Sequence, residues 1–231
     1  MSKNIQKMFS EVPATYERVN HVLTLGMDIL WRRRAAKRAS LAGGTRWLDV
    51  CCGTGEMAAN LRRFAENGAV LYATDFSLPM LQKAWQKPEG KYIHFLLSDI
   101  KYLPFPENTF DLITISFATR NINLSREILI RTFSEFHRAL RPGGRFINLQ
   151  TSQPAGPIIR KLYHIYIGLA VKRIGRLISG SKSAYAYLSE TIPRFYPPGD
   201  LADCLREAGF DKVLYQKMLL GAAAIHEARK R

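Results

Sequence analysis

A chain of 231 residues with 47% hydrophobic content carries enough apolar mass for one full core, whereas two independent domains would be cramped. Lys and Arg number 34 against 19 Asp and Glu, a formal net charge of +15 that favours anionic partners such as acidic lipid or nucleic acid. Three cysteines, two of them adjacent at Cys51 and Cys52, exclude a disulfide framework and match no zinc-ligand spacing, so a reducing cytosol is the simplest home and no metal is expected.

The opening Met-Ser-Lys-Asn-Ile-Gln-Lys lacks the apolar core of a signal peptide, and no apolar run approaches the ~20 residues needed to span a bilayer. The expected location is therefore cytoplasmic, free or peripheral at the inner face of the cell membrane. The basic residues are spread over 32–38, 160–182 and 229–231 without the interleaved aromatics of an RNA-binding module, so nucleic acid is not the expected partner. A homodimer is compatible with this reading.

In chain order, residues 1–43 read as a helical cap, with apolar Met8, Val12, Val19, Val22 and Leu23 ahead of a basic helix from Trp31 to Ala39 closed by Gly43-Gly44. From there short apolar runs at 45–50, 69–74, 92–98, 110–117 and 144–150 alternate with helical stretches, the pattern of a parallel sheet with helices on both faces. The segment 157–179 reads as a basic amphipathic helix, with Ile158, Ile159, Leu162, Ile165, Tyr166 and Leu169 beside Arg160, Lys161, Lys172, Arg173 and Arg176. A helix over 201–208, stopped by Gly209, precedes a strand pair at 212–217 and 221–226 that closes a sheet edge. The chain is thus read as one domain over 1–231: a cap at 1–43, a core at 44–151, a helical insert at 152–200 and a C-terminal helix with two strands at 201–231.

Ligands of open parallel sheets sit beyond the carboxyl ends of the strands, so the polar residues there are the candidates. The first predicted strand leads into Asp49-Val50-Cys51-Cys52-Gly53-Thr54-Gly55, where the glycines let the chain turn and bring backbone close to a nucleoside. The second ends at Asp75, whose carboxylate can accept from both ribose hydroxyls. The third ends at Ser98-Asp99, with oxygens for an adenine amino group, and the fourth at Ser116, on the methionyl side. The plainer reading makes Gly53-Thr54-Gly55 an ordinary turn and Asp75 and Asp99 helix caps. The ordered coincidence at four strand ends favours an adenosyl ligand. A dinucleotide-binding dehydrogenase needs G-x-G-x-x-G, and the third place here is Ala58, whereas Gly-x-Gly after the acid Asp49 suits adenosylmethionine binders.

Several segments then resemble the demethylmenaquinone and ubiquinone-pathway C-methyltransferases, a branch of the class I methyltransferases. They are Leu103-Pro104-Phe105-Pro106-Glu107-Asn108-Thr109-Phe110-Asp111, Ile113-Thr114-Ile115-Ser116-Phe117, Arg120-Asn121 and Leu140-Arg141-Pro142-Gly143-Gly144-Arg145. Tyr185-Ala186-Tyr187-Leu188-Ser189-Glu190-Thr191-Ile192 and the stretch from Phe9 through Tyr16, Asn20, Gly26 and Trp31-Arg32 extend the likeness nearly end to end. The resemblance implies an α/β, Rossmann-like class I methyltransferase with a seven-stranded, mostly parallel sheet and helices on both faces. It implies S-adenosyl-L-methionine as methyl donor, contacted by Thr54, Asp75 with Phe76, Asp99 with Ile100, and Ser116. It also implies a lipid-soluble quinol acceptor faced by Tyr16, Asn20, Arg120 and Asn121. The chain departs from the family where His-Arg commonly precedes the N-terminal Trp, having Asp28-Ile29, and around Ser-Lys-Pro, having Gln150 and Gln153.

Carbon methylation needs a ring carbon aligned with a sulfonium methyl and a neighbouring hydroxyl deprotonated, so a reduced acceptor is expected to react and an oxidised one not. Arg120 suits the phenolate, with Asn121 or Tyr16 on the other ring oxygen, and His21 is the histidine placed to act as base. A structural ion pair is the competing reading for Arg120. The alternatives for the whole chain are a methyltransferase of another small apolar or phenolic acceptor, and a non-catalytic adenosylmethionine-binding member of a lipid-biosynthesis complex.

Overall fold

The computed structural model describes residues 13–66, 68–171, 173 and 188–231. Met8, Phe9 and Val12 of the cap, Lys172 and Arg176 of the insert, and Tyr185 to Tyr187 lie outside them. Two helices form the described cap: α1 (Pro13–Leu23) and α2 (Met27–Ser40), separated by a turn in which Leu25 and Gly26 are both left-handed, at φ 52 and 75. Helix α2 buries Asp28, Trp31, Arg32, Ala35, Ala36 and Ala39, one stripe at helical spacing, so that of its basic residues Arg32 faces inward.

The core alternates as expected: β1 (Arg46–Val50), α3 (Glu56–Phe64), β2 (Val70–Asp75), α4 (Leu78–Trp85), β3 (Ile93–Leu97), β4 (Phe110–Ser116), α5 (Thr119–Ile122), α6 (Arg126–Ala139) and β5 (Leu140–Thr151). It continues through α7 (Pro157–Tyr166), α8 (Pro198–Glu207), β6 (Lys212–Met218) and β7 (Ala223–Arg229). The seven strands lie in the order β3-β2-β1-β4-β5-β7-β6, with β1 to β5 parallel and β7 antiparallel to both neighbours. The strand pair at the C-terminal end therefore does more than close an edge: β7 enters the sheet and leaves β6 outermost.

Strand β4 shows why the sheet is covered on both faces. Ile113 and Ile115 join Phe133 and Phe136 of α6 and Leu201 and Leu205 of α8, while Leu112 just before them joins Trp31, Ala35 and Met57 on the other side. A smaller apolar cluster of Val19, Met80, Ile167, Val171, Leu188 and Ile192 fastens the cap over the strand ends. Gly44 is required where cap meets core: at φ +75, a Cβ there would come within 2.4 Å of the side chain of Asp111. That carboxylate accepts from the backbone N–H groups of Thr45 and Arg46, each at 2.9 Å, and pairs with Arg141 at 3.0 Å.

Four boundaries differ from expectation. Strand β5 begins at Leu140, because Leu140 pairs with Phe110 before a bulge absorbs Arg141-Pro142-Gly143-Gly144. Strand β7 runs past His226 to Arg229, since the charge of Glu227 is met by Arg38 at 2.7 Å and Arg145 at 3.4 Å. Helix α8 starts at Pro198, a residue suited to the first helical turn. Of the helix expected over 157–179, Pro157–Tyr166 is regular, and the part past Val171 lies outside the described residues but for 173. Ile167–Val171 then form a wider π turn around Gly168, which sends Ile167 and Val171 into the cap cluster.

Candidate active site

The order of strands reverses between β1 and β4, and the candidate site lies at their carboxyl ends. Each strand runs into a non-glycine residue held left-handed, Cys51 at φ 52 and Phe117 at φ 55, a costly backbone state. Beneath it Asp49 is fully buried and accepts from the Thr114 hydroxyl at 2.6 Å. Burial, resisted by that bond and by Arg32, raises the carboxyl to about 7, and its second oxygen has no partner among the described residues.

Next comes the glycine loop. Gly55, at φ +79, opens α3 so close to α4 that a Cβ would meet the Ala84 methyl at 2.8 Å. Asp75 at the end of β2 turns its carboxylate to the loop, accepting from the backbone N–H of Gly53 and of Ser77, both at 2.9 Å. Burial outweighs these bonds and lifts it to about 6. Asp75 thus braces the loop as well as facing the cavity. The neighbouring thiols are held protonated, raised well above their usual value by burial and by the charges of Asp75 and Asp49. Both line the cavity, Cys52 being buried in one apolar cluster and Cys51 packed against the other.

The cap closes this cavity from above. Glu17 of α1 hydrogen-bonds the Thr54 side chain and pairs with Lys87 at 3.1 Å, and Lys87 reaches Glu56 at 2.5 Å. Burial pushes Glu17 up, but Thr54 and Lys87 prevail and leave it below the usual carboxylate range. At the corner between the cap helices, Asp28 accepts from Thr24 at 2.8 Å, contacts Nδ1 of His21 at 2.9 Å and pairs with Arg32. Arg32 lies with its guanidinium carbon 4.9 Å from the centre of the Phe117 ring.

Two cavities adjoin here. The polar one runs from Asp75 and Phe76 across Gly53, Thr54 and Cys51 to Ser116, Phe117 and Asn121, with Glu17, His21 and Glu56 also on its wall. The second, of about 200 Å³, is lined chiefly by apolar groups including Leu23, Trp31, Ile167, Val171, Leu188 and Ile192, with Thr24, Arg120, Thr151 and Tyr163 among the polar groups it does not share. Tyr16, Asn20, Asp28, Arg32 and Phe117 border both. Arg120 donates to the Thr151 hydroxyl at 3.0 Å, and burial raises the Tyr163 phenol to about 12 despite the nearby Arg120 charge.

Most of the expected donor residues converge: Gly53, Thr54, Asp75, Phe76 and Ser116 line the polar cavity, Asp49 lies under it and Gly55 starts the helix beside it. Asp99 and Ile100 do not reach its wall. The Asp99 carboxylate caps its own turn, accepting from the Lys101 N–H at 3.1 Å, and Ile100 is buried beside Ile122. Of the expected acceptor residues, Tyr16 and Asn20 border both cavities and Arg120 the apolar one, whereas Asn121 and His21 stand on the polar side. Two of the other histidines are occupied by protein partners: His164 meets Gln153 at 2.7 Å, and His226 meets the Pro198 carbonyl at 2.9 Å, buried and lowered to about 4. Sequence reasoning passed over Arg32, Glu17 and Tyr163. The helical spacing of Asp28, Trp31, Arg32, Ala35 and Ala39 was the signal that one arginine points inward.

The residues fit an adenosyl sulfonium ligand: buried orphan atoms on Asp49 and Arg32, a loop with no room for a Cβ at Gly55, and four acids on the polar wall. A solved S-adenosylmethionine-dependent methyltransferase from Thermotoga maritima matches the fold with a TM-score of 0.66 at 16% identity, covering 98% of this chain and 99% of that one. The architecture is that of the S-adenosylmethionine-dependent methyltransferases. Among relatives, the demethylmenaquinone methyltransferase of Lactiplantibacillus plantarum is 35% identical over 231 residues, 98% of this chain and 96% of that protein. The ubiquinone/menaquinone biosynthesis C-methyltransferase UbiE of Desulfotalea psychrophila is 36% identical over 222 residues, 96% and 88% of the two chains. The chain belongs to the ubiE/COQ5 methyltransferase family, which it matches over residues 1–230. It is an enzyme that uses S-adenosylmethionine.

Proposed function

We propose that this protein methylates a ring carbon of a reduced, prenylated quinone precursor of the demethylmenaquinol type, within menaquinone or ubiquinone biosynthesis. The observation that carries the proposal is the junction of a polar and an apolar cavity at one shared wall of Tyr16, Asn20, Asp28, Arg32 and Phe117. The relatives' names supply the acceptor class.

S-adenosylmethionine supplies an electrophilic methyl group on a positively charged sulfur. Gly53, Thr54, Asp75, Phe76 and Ser116 would hold the donor, and the acids along their cavity suit its positive charge. Arg120, buried on the apolar side and propped by Thr151, would stabilise the phenolate that forms on a ring oxygen. It is too basic to take the proton itself. Tyr16 and Asn20 orient the ring at the shared wall, and His21, held by Asp28 on the polar wall, is the group we assign as base. The apolar lining keeps water from the reacting carbon. The four parts of the chain read from sequence act as one catalytic domain in this scheme, with the cap as the roof.

Labelled methyl transfer from S-adenosylmethionine to reduced and to oxidised demethylmenaquinone analogues tests the reading. Label in the reduced acceptor alone is expected. A protein that binds the donor and labels neither would shift the acceptor to another small phenol, a reading favoured by Asp28, which departs from the family pattern on the wall itself.

The same proposal includes the membrane. No helix among the described residues is long and apolar enough to cross one. On α7 and the turn after it, Ile158, Leu162, Ile165 and Leu169 form an exposed stripe at helical spacing, while Tyr163 and Ile167 face inward. Arg160 and Lys161 flank the stripe, and the net charge is +15. Acidic lipid headgroups complement this face, and an apolar tail leaving the second cavity would pass into the bilayer. Co-sedimentation with anionic vesicles but not neutral ones is expected, weakened by salt. Absence of binding to either overturns the membrane part.

A further inference from the structure

We propose that Arg32 anchors the α-carboxylate at the methionyl end of the methyl donor. The inference rests on the family's use of S-adenosylmethionine and concerns a residue outside the four strand ends.

The arginine is built into the protein. Its side chain is 6% exposed, on the inward stripe of α2 between Trp31 and Ala35. Asp28 pairs with it and is itself fixed by Thr24 and His21, so the guanidinium cannot swing to solvent without breaking a three-partner network. Phe117, locked in a left-handed conformation, supports it at 4.9 Å. Yet Nε has no hydrogen-bond partner among the described residues. A buried charged donor left unsatisfied is unfavourable unless a ligand completes it.

The position selects the ligand group. Asp75 follows β2, and Phe117 follows β4, so the polar cavity crosses the sheet's reversal point from one to the other. A donor with its ribose at Asp75 extends its amino-acid end toward Phe117 and Arg32. Glu17, Asp28, Glu56 and Asp75 line this cavity, and they suit the ammonium and sulfonium charges but repel a carboxylate. Arg32 is the only Lys or Arg among the described lining residues. Arg120 lies across the shared wall, on the apolar cavity alone, and is left for the acceptor. A guanidinium fork also matches carboxylate geometry in a way a lysine ammonium does not.

The test is calorimetric titration of the full chain with S-adenosylmethionine and with its decarboxylated analogue, for wild type, Arg32→Gln and Arg32→Lys. The wild type is expected to prefer the carboxylated ligand by about 10- to 100-fold, the range of one charge-assisted interaction. Arg32→Gln should erase that preference while binding the decarboxylated analogue within about twofold of wild type. Arg32→Lys, which keeps a cation opposite Asp28, should retain only part of the preference, and it carries the test if the glutamine variant fails to fold. A preference unchanged in the variants, or equal losses for both ligands, overturns the assignment of Arg32. A folded wild type that binds neither ligand overturns the cofactor reading instead.

Discussion

The two cavities are built by different means. The polar one is made of strand ends and the turns they force: left-handed Cys51 and Phe117, Gly55 against Ala84, and Asp75 braced by backbone N–H groups. The apolar one is assembled from α1, α2, α7, the turn at Ile167–Val171, the segment around Leu188 and Ile192, and the stretch from Leu219 to Ala222. One is a property of the sheet, and the other belongs to what the chain adds around it. The lesson is that donor chemistry and acceptor choice can change separately, with the shared wall as the place where they meet.

Arg120→Ala attacks the apolar side and should have the largest effect. Turnover is expected to fall by about 10²- to 10³-fold with donor affinity nearly unchanged, read by steady-state kinetics beside calorimetry. Surviving turnover would return Arg120 to a structural role with Thr151. Gly55→Val strikes the polar side, where a left-handed backbone and a 2.8 Å approach to Ala84 leave no space. A loss of roughly 2–3 kcal/mol in denaturant unfolding should come with weaker donor binding.

Asp49 sharpens the comparison by pH. Its folded carboxyl, raised to about 7 by burial, ionises far above its unfolded value of about 3.9, so the folded protein holds the proton more tightly. That contribution to stability is complete below about pH 4 and is lost as pH rises through 7. Asp49→Asn should therefore stabilise the fold at pH 8 by on the order of 2 kcal/mol, read as a higher melting temperature, and change it little at pH 4. The same substitution should weaken binding of a cationic donor above pH 7, because the wild-type carboxylate is then charged. Leu162→Ser carries the smallest stability effect, within about 0.5 kcal/mol, since the side chain is 62% exposed. It should reduce sedimentation with anionic vesicles, and a variant that sediments like wild type would detach the stripe from the membrane proposal.

All seven strands and the site at their ends were legible because buried parallel strands are short apolar runs punctuated by turn residues. Asp49, Asp75 and Ser116 could be placed by that rule alone. One of the stretches that carry the family resemblance, Leu103 to Asp111, is structural. Arg138 donates to the Phe105 carbonyl at 3.0 Å, Phe105 packs edge-on against Phe110 at 4.8 Å, and Asp111 clasps the start of β1. Asp99 stands off the cavity wall, since a carboxylate at a strand end satisfies its own turn as readily as it meets a ligand. The His21, Asp28 and Arg32 network was unreadable from spacing, since it depends on the left-handed corner at Leu25-Gly26 that folds α1 back on α2. The apolar stripe of the insert was visible, but which of its residues face outward was decided by the packing of Tyr163, Ile167 and Val171.

Strand β7 is the last of the seven to be synthesised, yet it lies inside the sheet between β5 and β6. Until residues 223–229 emerge from the ribosome, β5 has an open edge and β6 has no neighbour at all. Between the emergence of β6 and that of β7 the nascent protein therefore carries an unpaired hydrogen-bonding edge beside its largest apolar core, the state in which strands recruit other chains. Chaperone demand for this enzyme should be concentrated in that interval, and a frameshift shortly before Ala223 should yield aggregate rather than a weakened catalyst.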